Sequence, residues 1–339
     1  MRTANSVSAP FLLVVSMLLL LLFQRVLFNL EYVRYSLETG IGIEDESDTE
    51  ETDNYSLEHQ TAGVTGNYII YGGERYKPEY FFILVFVMQG FVFIIPAVFY
   101  IKLFKSEGYI KDLNLKLPEL KRAPLALYAL GALVSGTAFL SSLLYYMFGA
   151  SLELRAAVID AGSNPVYDIS AVMAFVLLPA ICEEFFFRSV MLREYDRYGA
   201  ACACIITSAA FAALHFSLAL FPIYFFAGSI LYIITKASGS IIFAVIAHAG
   251  HRFFNIYIWN RLSNVLSFEQ NRFIFSFMAS AIFIIFMIAL LNKTEKIYYY
   301  KAYVNDPAPE SITGRLPLRN AFSPTLLAVA IIYFIGINT

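Results

Sequence analysis

Two adjacent glutamates, an arginine four residues on and three of the chain's four histidines lie in stretches that are otherwise apolar. They are Glu183-Glu184-Phe-Phe-Phe-Arg188, then His215, then His248-Ala-Gly-His251-Arg252-Phe-Phe-Asn255. An ionisable side chain in hydrocarbon is costly, and it normally faces a bundle interior or a water-filled cavity. On a helix Glu184 and Arg188 share a face and can pair. Glu183 is turned about 100° away and is not neutralised by that arginine within the helix. A carboxylate with two imidazoles can take a proton from water and stabilise an oxyanion, which is the minimum for hydrolysing an amide. The same groups are good ligands for a divalent metal such as zinc, and the residues alone do not choose between the two chemistries. There is no His-Glu-x-x-His helix and no Gly-x-Ser-Gly serine site.

These residues need a scaffold that can hold charge in an apolar medium. Of 339 residues, 59% are hydrophobic and 15% are charged. Soluble domains run nearer 45–50% apolar and about 25% charged. The apolar residues come in blocks of about twenty, the length that crosses a ~30 Å hydrocarbon core. Spans are predicted near 10–30, 80–101, 123–148, 170–192, 200–220, 221–235, 240–259, 273–291 and 322–337. The fold class is therefore all-α: a polytopic transmembrane helical bundle of about eight to nine spans. A net charge of −2 offers no field for phosphate, so nucleic acid is not an expected partner. Cys182, Cys202 and Cys204 all lie in apolar stretches and indicate no disulfide framework.

Placing the N-terminus in the cytoplasm puts most Lys and Arg residues on the cytoplasmic side, as the positive-inside rule requires. Three parts follow. Residues 1–79 are an N-terminal transmembrane anchor plus an acidic, disordered extracytoplasmic loop, with the acidic residues concentrated at 44–53. Residues 80–292 are a transmembrane helical core. Residues 293–339 are a basic cytoplasmic loop and a last span.

Depth joins the polar clusters. Glu183 and His215 lie 16 residues before and after Gly199, a natural turn. An antiparallel hairpin closing there sets them at matching heights, roughly 8–10 Å inside the cytoplasmic face. His248 lies nine residues past Gly239, roughly 13 Å into its own span from the same side. At 100° per residue His248, His251, Arg252 and Asn255 form one polar stripe.

Glu183-Glu184-x-x-x-Arg188, Phe211-x-x-x-His215 and Gly239-Ser240 followed by His248 resemble, in order and spacing, the successive motifs of the CPBP family. These are the CAAX proteases and bacteriocin-processing enzymes, also called Abi, and they include the type II CAAX prenyl endopeptidases. The resemblance covers roughly 170–256. It implies an intramembrane endopeptidase with a cavity open to the cytosol, acting on a peptide or protein that enters from the cytosolic side or the bilayer. It implies that Glu183 activates water, that His215 and His248 assist and form an oxyanion site, and that Glu184, Arg188 and Asn255 complete the set. The family's last motif is His-x-x-x-Asn. Here Arg252 stands where that asparagine is expected, and the literal pattern is His251 to Asn255. The flank and depth favour His248. The contrasting reading, motivated by Arg252 and the acidic loop, is a non-catalytic scaffold, immunity-type or transport protein.

Overall fold

The computed structural model describes residues 8–23, 63–65, 68–71, 74–76, 78–105, 109–110, 113–148, 158–159, 165–259, 262, 271–304 and 324–337. Nine helices account for most of them. Helix α1 is Ser8–Leu22. Helix α2 begins as Pro78–Gln89, passes a π-helical turn at Gly90–Ile94 and continues as Ile95–Phe104. Helix α3 is Pro124–Phe148. Helix α4 is a composite rod of Pro165–Val172, a π turn Met173–Leu177, Leu178–Glu184, a second π stretch Phe185–Met191, Leu192–Tyr195 and a 3₁₀ turn Asp196–Tyr198. Then come α5 (Ala200–Ala213), α6 (Phe221–Ser238) and α7 (Ile242–Phe253), the last extended by a π turn Phe254–Ile258. Helices α8 (Arg272–Val304) and α9 (Pro324–Ile337) close the chain.

Each helix overlaps one expected span, and the fold is a helical membrane bundle. Five are long and apolar enough to cross a membrane: Phe82–Phe104, Leu120–Phe148, Ile169–Tyr198, Phe221–Ser238 and Arg272–Tyr298. Helices α1, α5 and α9 are shorter but equally apolar in kind. Helix α7 is in neither group, because it carries His248, His251, Arg252 and Asn255. Bulky apolar side chains point outward, Phe273 and Phe277 on α8 among them at 75% and 70% exposure. On a protein of this composition such a belt faces lipid. Inside, α3 packs along α8, α5 along α6 and α1 along α9.

Three expectations change. The loop before α2 is not wholly without structure. Strands β1 (Gly63–Thr65), β2 (Tyr68–Tyr71) and β3 (Glu74–Tyr76) form an antiparallel meander, and β4 (Val158–Ile159) adds parallel to β1. Tyr68-Ile69-Ile70-Tyr71 is the kind of aromatic and β-branched run that favours extended chain. The acidic tract at 44–53 lies outside the described residues. The expected break at 292 is not an end of structure either, since α8 continues to Val304 through Lys293-Thr-Glu295-Lys296, mostly good helix formers. Lastly, α5 stops at Ala213, so His215 lies beyond the helix rather than inside the 200–220 span.

The turns that aim the polar residues are made by glycine and serine. Gly199 sits at φ 101° between α4 and α5, a conformation open to glycine at little cost. Gly239 ends α6 at φ 72° and gives its N–H to Thr235 O at 2.8 Å. Ser240 Oγ then accepts from Ile242 N at 3.3 Å at the start of α7. Ile241 N donates to Asn114 O at 3.0 Å, and Arg122 Nη1 donates to Ser238 O at 2.9 Å. The Gly-Ser pair therefore sets where α7 begins, and so the height of His248.

The contact of α3 with its neighbours is tight. A Cβ on Gly136 would fall 2.6 Å from Phe226 Cζ and 2.9 Å from Phe283 Cδ2. Gly136→Ile is expected to cost about 1–3 kcal/mol by overpacking and to lower the unfolding temperature of the detergent-solubilised protein. Gly90→Ala, which meets nothing within 4 Å, is the control expected to leave it unchanged.

Candidate active site

The site is built outward from Glu184, which is fully buried. Its Oε2 lies 3.1 Å from Arg188 Nε, and its Oε1 accepts from His248 Nδ1 at 2.9 Å. A carboxylate out of water needs such donors, because several kcal/mol of hydration per ion have been lost. Arg188 is equally enclosed. Its Nη2 donates to Gly228 O at 3.1 Å, and its guanidinium carbon lies 4.7 Å above the Phe211 ring and 5.5 Å from that of Phe187. One ion pair thus ties α4 to α5, α6 and α7. Gly228 also lets α5 pack closely on α6, since a Cβ there would fall 3.0 Å from Ser208 Cα.

Glu183 faces a different environment. Its Oε2 lies 3.9 Å from His248 Nε2, and its Oε1 lies 3.6 Å from Arg252 Nη1. Both distances exceed a hydrogen bond. Oε2 is buried and has no hydrogen-bonding partner among the described residues. The expectation that Glu184 pairs with Arg188 while Glu183 stands apart matches this geometry, with Arg252 as the cation that approaches it.

Arg252 is held by a defect in α4. Pro179 has no N–H to offer the carbonyl four residues earlier, that of Phe175. The chain there is a π turn, and Arg252 Nε donates to Phe175 O at 2.8 Å. Its side chain keeps 29% exposure, against 5% for that of His248. Glu183 and Glu184 end an α segment and Arg188 lies in the next π stretch. Such widened turns are frequent at functional sites.

His215 follows α5 in a tight turn in which Phe216 takes φ 45°. Its Nδ1 lies 2.9 Å from Phe211 O. A carbonyl only accepts, so Nδ1 carries the proton and donates, which leaves Nε2 as an acceptor in the neutral ring. The Phe211 ring meets His215 edge-on at 5.0 Å and His248 at 5.7 Å. His215 lies within electrostatic reach of Arg252 and His248. Tyr224 stacks on His215 with centroids 3.5 Å apart and planes 16° from parallel.

The stripe expected on α7 divides in two. His248 and Arg252 face the carboxylates. His251 instead lies 3.1 Å from Thr137 Oγ1 on α3 and 3.2 Å from Asn255 Nδ2. Asn255 is therefore not brought to the Glu183–Glu184 pair as expected. The π turn starting at Phe254 advances each residue by less than the ~100° of an α-helix, so Asn255 falls behind, onto the His251 face. Sequence reading missed Tyr224 and Thr137. Neither has a local signal, since each meets its histidine across a turn or from another helix.

Among the described residues no three His, Cys, Asp or Glu side chains are grouped to hold a metal ion. His248 Nδ1 and His215 Nδ1 are held by Glu184 and Phe211 O, so an ion could be met there only through their Nε2 atoms.

Residues 165–254 match the family model described as Type II CAAX prenyl endopeptidase Rce1-like. The match covers just over a quarter of the chain. It begins with α4 and ends one turn after His251, so it takes in Glu183, Glu184, Arg188, His215, His248 and Arg252 and stops one residue short of Asn255. No curated protein and no solved structure matches the chain. The Rce1-like match is to a protease family and supports, in general terms, a CAAX-type endopeptidase embedded in the membrane.

Removing one partner of the central ion pair leaves a buried charge uncompensated. Arg188→Met is expected to destabilise the protein by about 3–5 kcal/mol. The double variant Glu184→Gln/Arg188→Met removes both charges and is expected to unfold at a higher temperature than the single one. Thermal unfolding of the three proteins side by side makes the comparison.

Proposed function

We propose that the protein is an intramembrane endopeptidase in which Glu183 activates the attacking water. The observation that carries this reading is the buried, unpartnered Glu183 Oε2, 3.9 Å from His248 Nε2. A water oxygen about 2.8 Å from each would complete a triangle with them. Glu183 takes a proton from that water and the resulting hydroxide attacks the peptide carbonyl carbon. The C–N bond then breaks as Glu183 returns the proton to the leaving amine. Glu184 orients His248 by accepting from Nδ1, which turns Nε2 toward the reacting water.

The tetrahedral oxyanion needs donors aimed at it. Arg252 supplies them where the family pattern has asparagine. Its Nε is anchored on Phe175 O, which leaves the outer edge of the guanidinium to face the substrate oxygen. The ion pair with Glu183 at 3.6 Å steers that carboxylate without tying it by a hydrogen bond. His215, turned by its bond to Phe211 O, assists from the turn after α5.

The substrate class we propose is a membrane-associated peptide or protein tail of CAAX type, reaching the site from the cytosolic side or laterally from the bilayer. We place the N-terminus in the cytoplasm on the distribution of Lys and Arg.

The test is cleavage of a farnesylated CAAX peptide by the purified protein in nanodiscs. Glu183→Gln is nearly isosteric and is expected to lower kcat by at least about 10²–10⁴-fold with an unchanged unfolding temperature. Cleavage at the wild-type rate would remove the peptidase reading and favour a non-catalytic membrane role. A chelator series on the same assay is expected to leave the rate unchanged. Arg252→Ala is expected to lower kcat about 10²–10³-fold, and Arg252→Asn to lower it less.

A further inference from the structure

His215 is the one member of the proposed set that no helix holds. It lies two residues beyond α5, and its backbone reverses at once through Phe216 at φ 45°. The ring must therefore be fixed by what touches it. The Nδ1–H···O bond to Phe211 fixes one edge and the Phe211 ring closes one side. Tyr224, in the first turn of α6, covers a whole face.

The stacking geometry is unusual for two neutral rings. Neutral aromatics prefer offset or edge-on contacts with centroids 4.5–7 Å apart, because like quadrupoles repel face to face. The other ring contacts of Phe211 obey this, at 5.0–6.4 Å and 65–85°. Tyr224 and His215 lie at 3.5 Å and 16° instead. A face-to-face contact this close holds the imidazole plane parallel to the phenol ring. Tyr224 is also within electrostatic reach of Glu183 and Arg252, so the stack borders the carboxylate rather than the distant core. Tyr224 is itself held, because its N–H donates to Leu220 O at 3.0 Å and its ring meets Phe211 edge-on.

We infer that Tyr224 is a positioning residue that acts through His215: its ring face fixes the imidazole in the orientation set by the Phe211 carbonyl. The inference rests on the peptidase reading above. The ring supplies the effect and the hydroxyl does not, which makes the two separable.

The experiment compares Tyr224→Phe, Tyr224→Trp and Tyr224→Leu in the nanodisc assay with the farnesylated CAAX peptide. Tyr224→Leu is expected to lower kcat about 3- to 10-fold with KM nearly unchanged, while Phe and Trp retain turnover within about 2-fold. A second readout needs no turnover. With histidine labelled by ¹³C and ¹⁵N and assigned through His215→Gln, the ring-current shift of the His215 Cε1 proton should persist in the Phe variant and vanish in the Leu variant. Full activity of Tyr224→Leu beside an inert Glu183→Gln overturns this inference alone. So does a Phe variant as impaired as the Leu variant, or a loss that only follows the unfolding temperature. If Glu183→Gln cleaves as fast as wild type, the peptidase reading itself falls and Tyr224 has no reaction to serve.

Discussion

The bundle is organised around one carboxylate that has no access to water. Glu184 is fully buried, and its two oxygens are met by Arg188 from its own helix and by His248 from α7. Breaking either contact would leave charge in a medium that cannot solvate it. The positions of the surrounding elements follow. Arg188 needs a second acceptor and finds the carbonyl of Gly228, which brings α6 against α4 with no side chain between. It needs cover for its flat faces and finds the Phe187 and Phe211 rings. His248 must reach Glu184 with one nitrogen, and its other nitrogen is thereby turned to Glu183. One structural carboxylate thus sets the surroundings of the one proposed to do chemistry.

The two glutamates are neighbours in sequence and opposites in setting. Glu184 has Arg188 Nε at 3.1 Å and His248 Nδ1 at 2.9 Å, while Glu183 has Arg252 Nη1 at 3.6 Å and His248 Nε2 at 3.9 Å, both too long for hydrogen bonds. The difference comes from the helical rotation of one residue and from where the cations are anchored. Arg188 is caged by rings and Arg252 is tethered to Phe175 O. Neither can swing across to give Glu183 a close bidentate partner without abandoning a buried acceptor. A carboxylate with an oxygen not engaged by a hydrogen bond is what a proton acceptor requires.

Much of this was legible in the sequence because the medium is apolar. In a soluble protein Glu183, Arg188 or His248 would vanish among other charges. Here they were nearly the only ionisable groups within the spans, and helical spacing alone pairs Glu184 with Arg188. The order of helices was equally readable from apolar blocks. What could not be read depends on departures from the ideal α-helix. The length of α5 was overestimated because Ala213-Leu214-His215-Phe216 contains no glycine, proline or other turn-forming residue. Asn255 was placed beside His248 by a constant 100° step, and the π turn at Phe254 undoes that step. Tyr224 was invisible because its partner is nine residues away across a chain reversal. The meander at Gly63–Tyr76 was hidden by the acidic composition of the residues before it.

Departures from the ideal α-helix also flank the proposed reaction centre, and one of them has an identifiable cause. Helix α4 has π turns on both sides of Glu183-Glu184. The first is adjacent to Pro179, which cannot donate to Phe175 O and whose ring crowds that carbonyl. A wider turn relieves the crowding, and it also exposes an acceptor that in a regular helix would be occupied. Arg252 takes it up at 2.8 Å. An arginine at this position of α7 is thus accommodated by a backbone defect in α4 seventy-seven residues earlier. Substituting the proline alone would return an N–H to Phe175 O and make it compete with Arg252. The arginine and the proline therefore form one device.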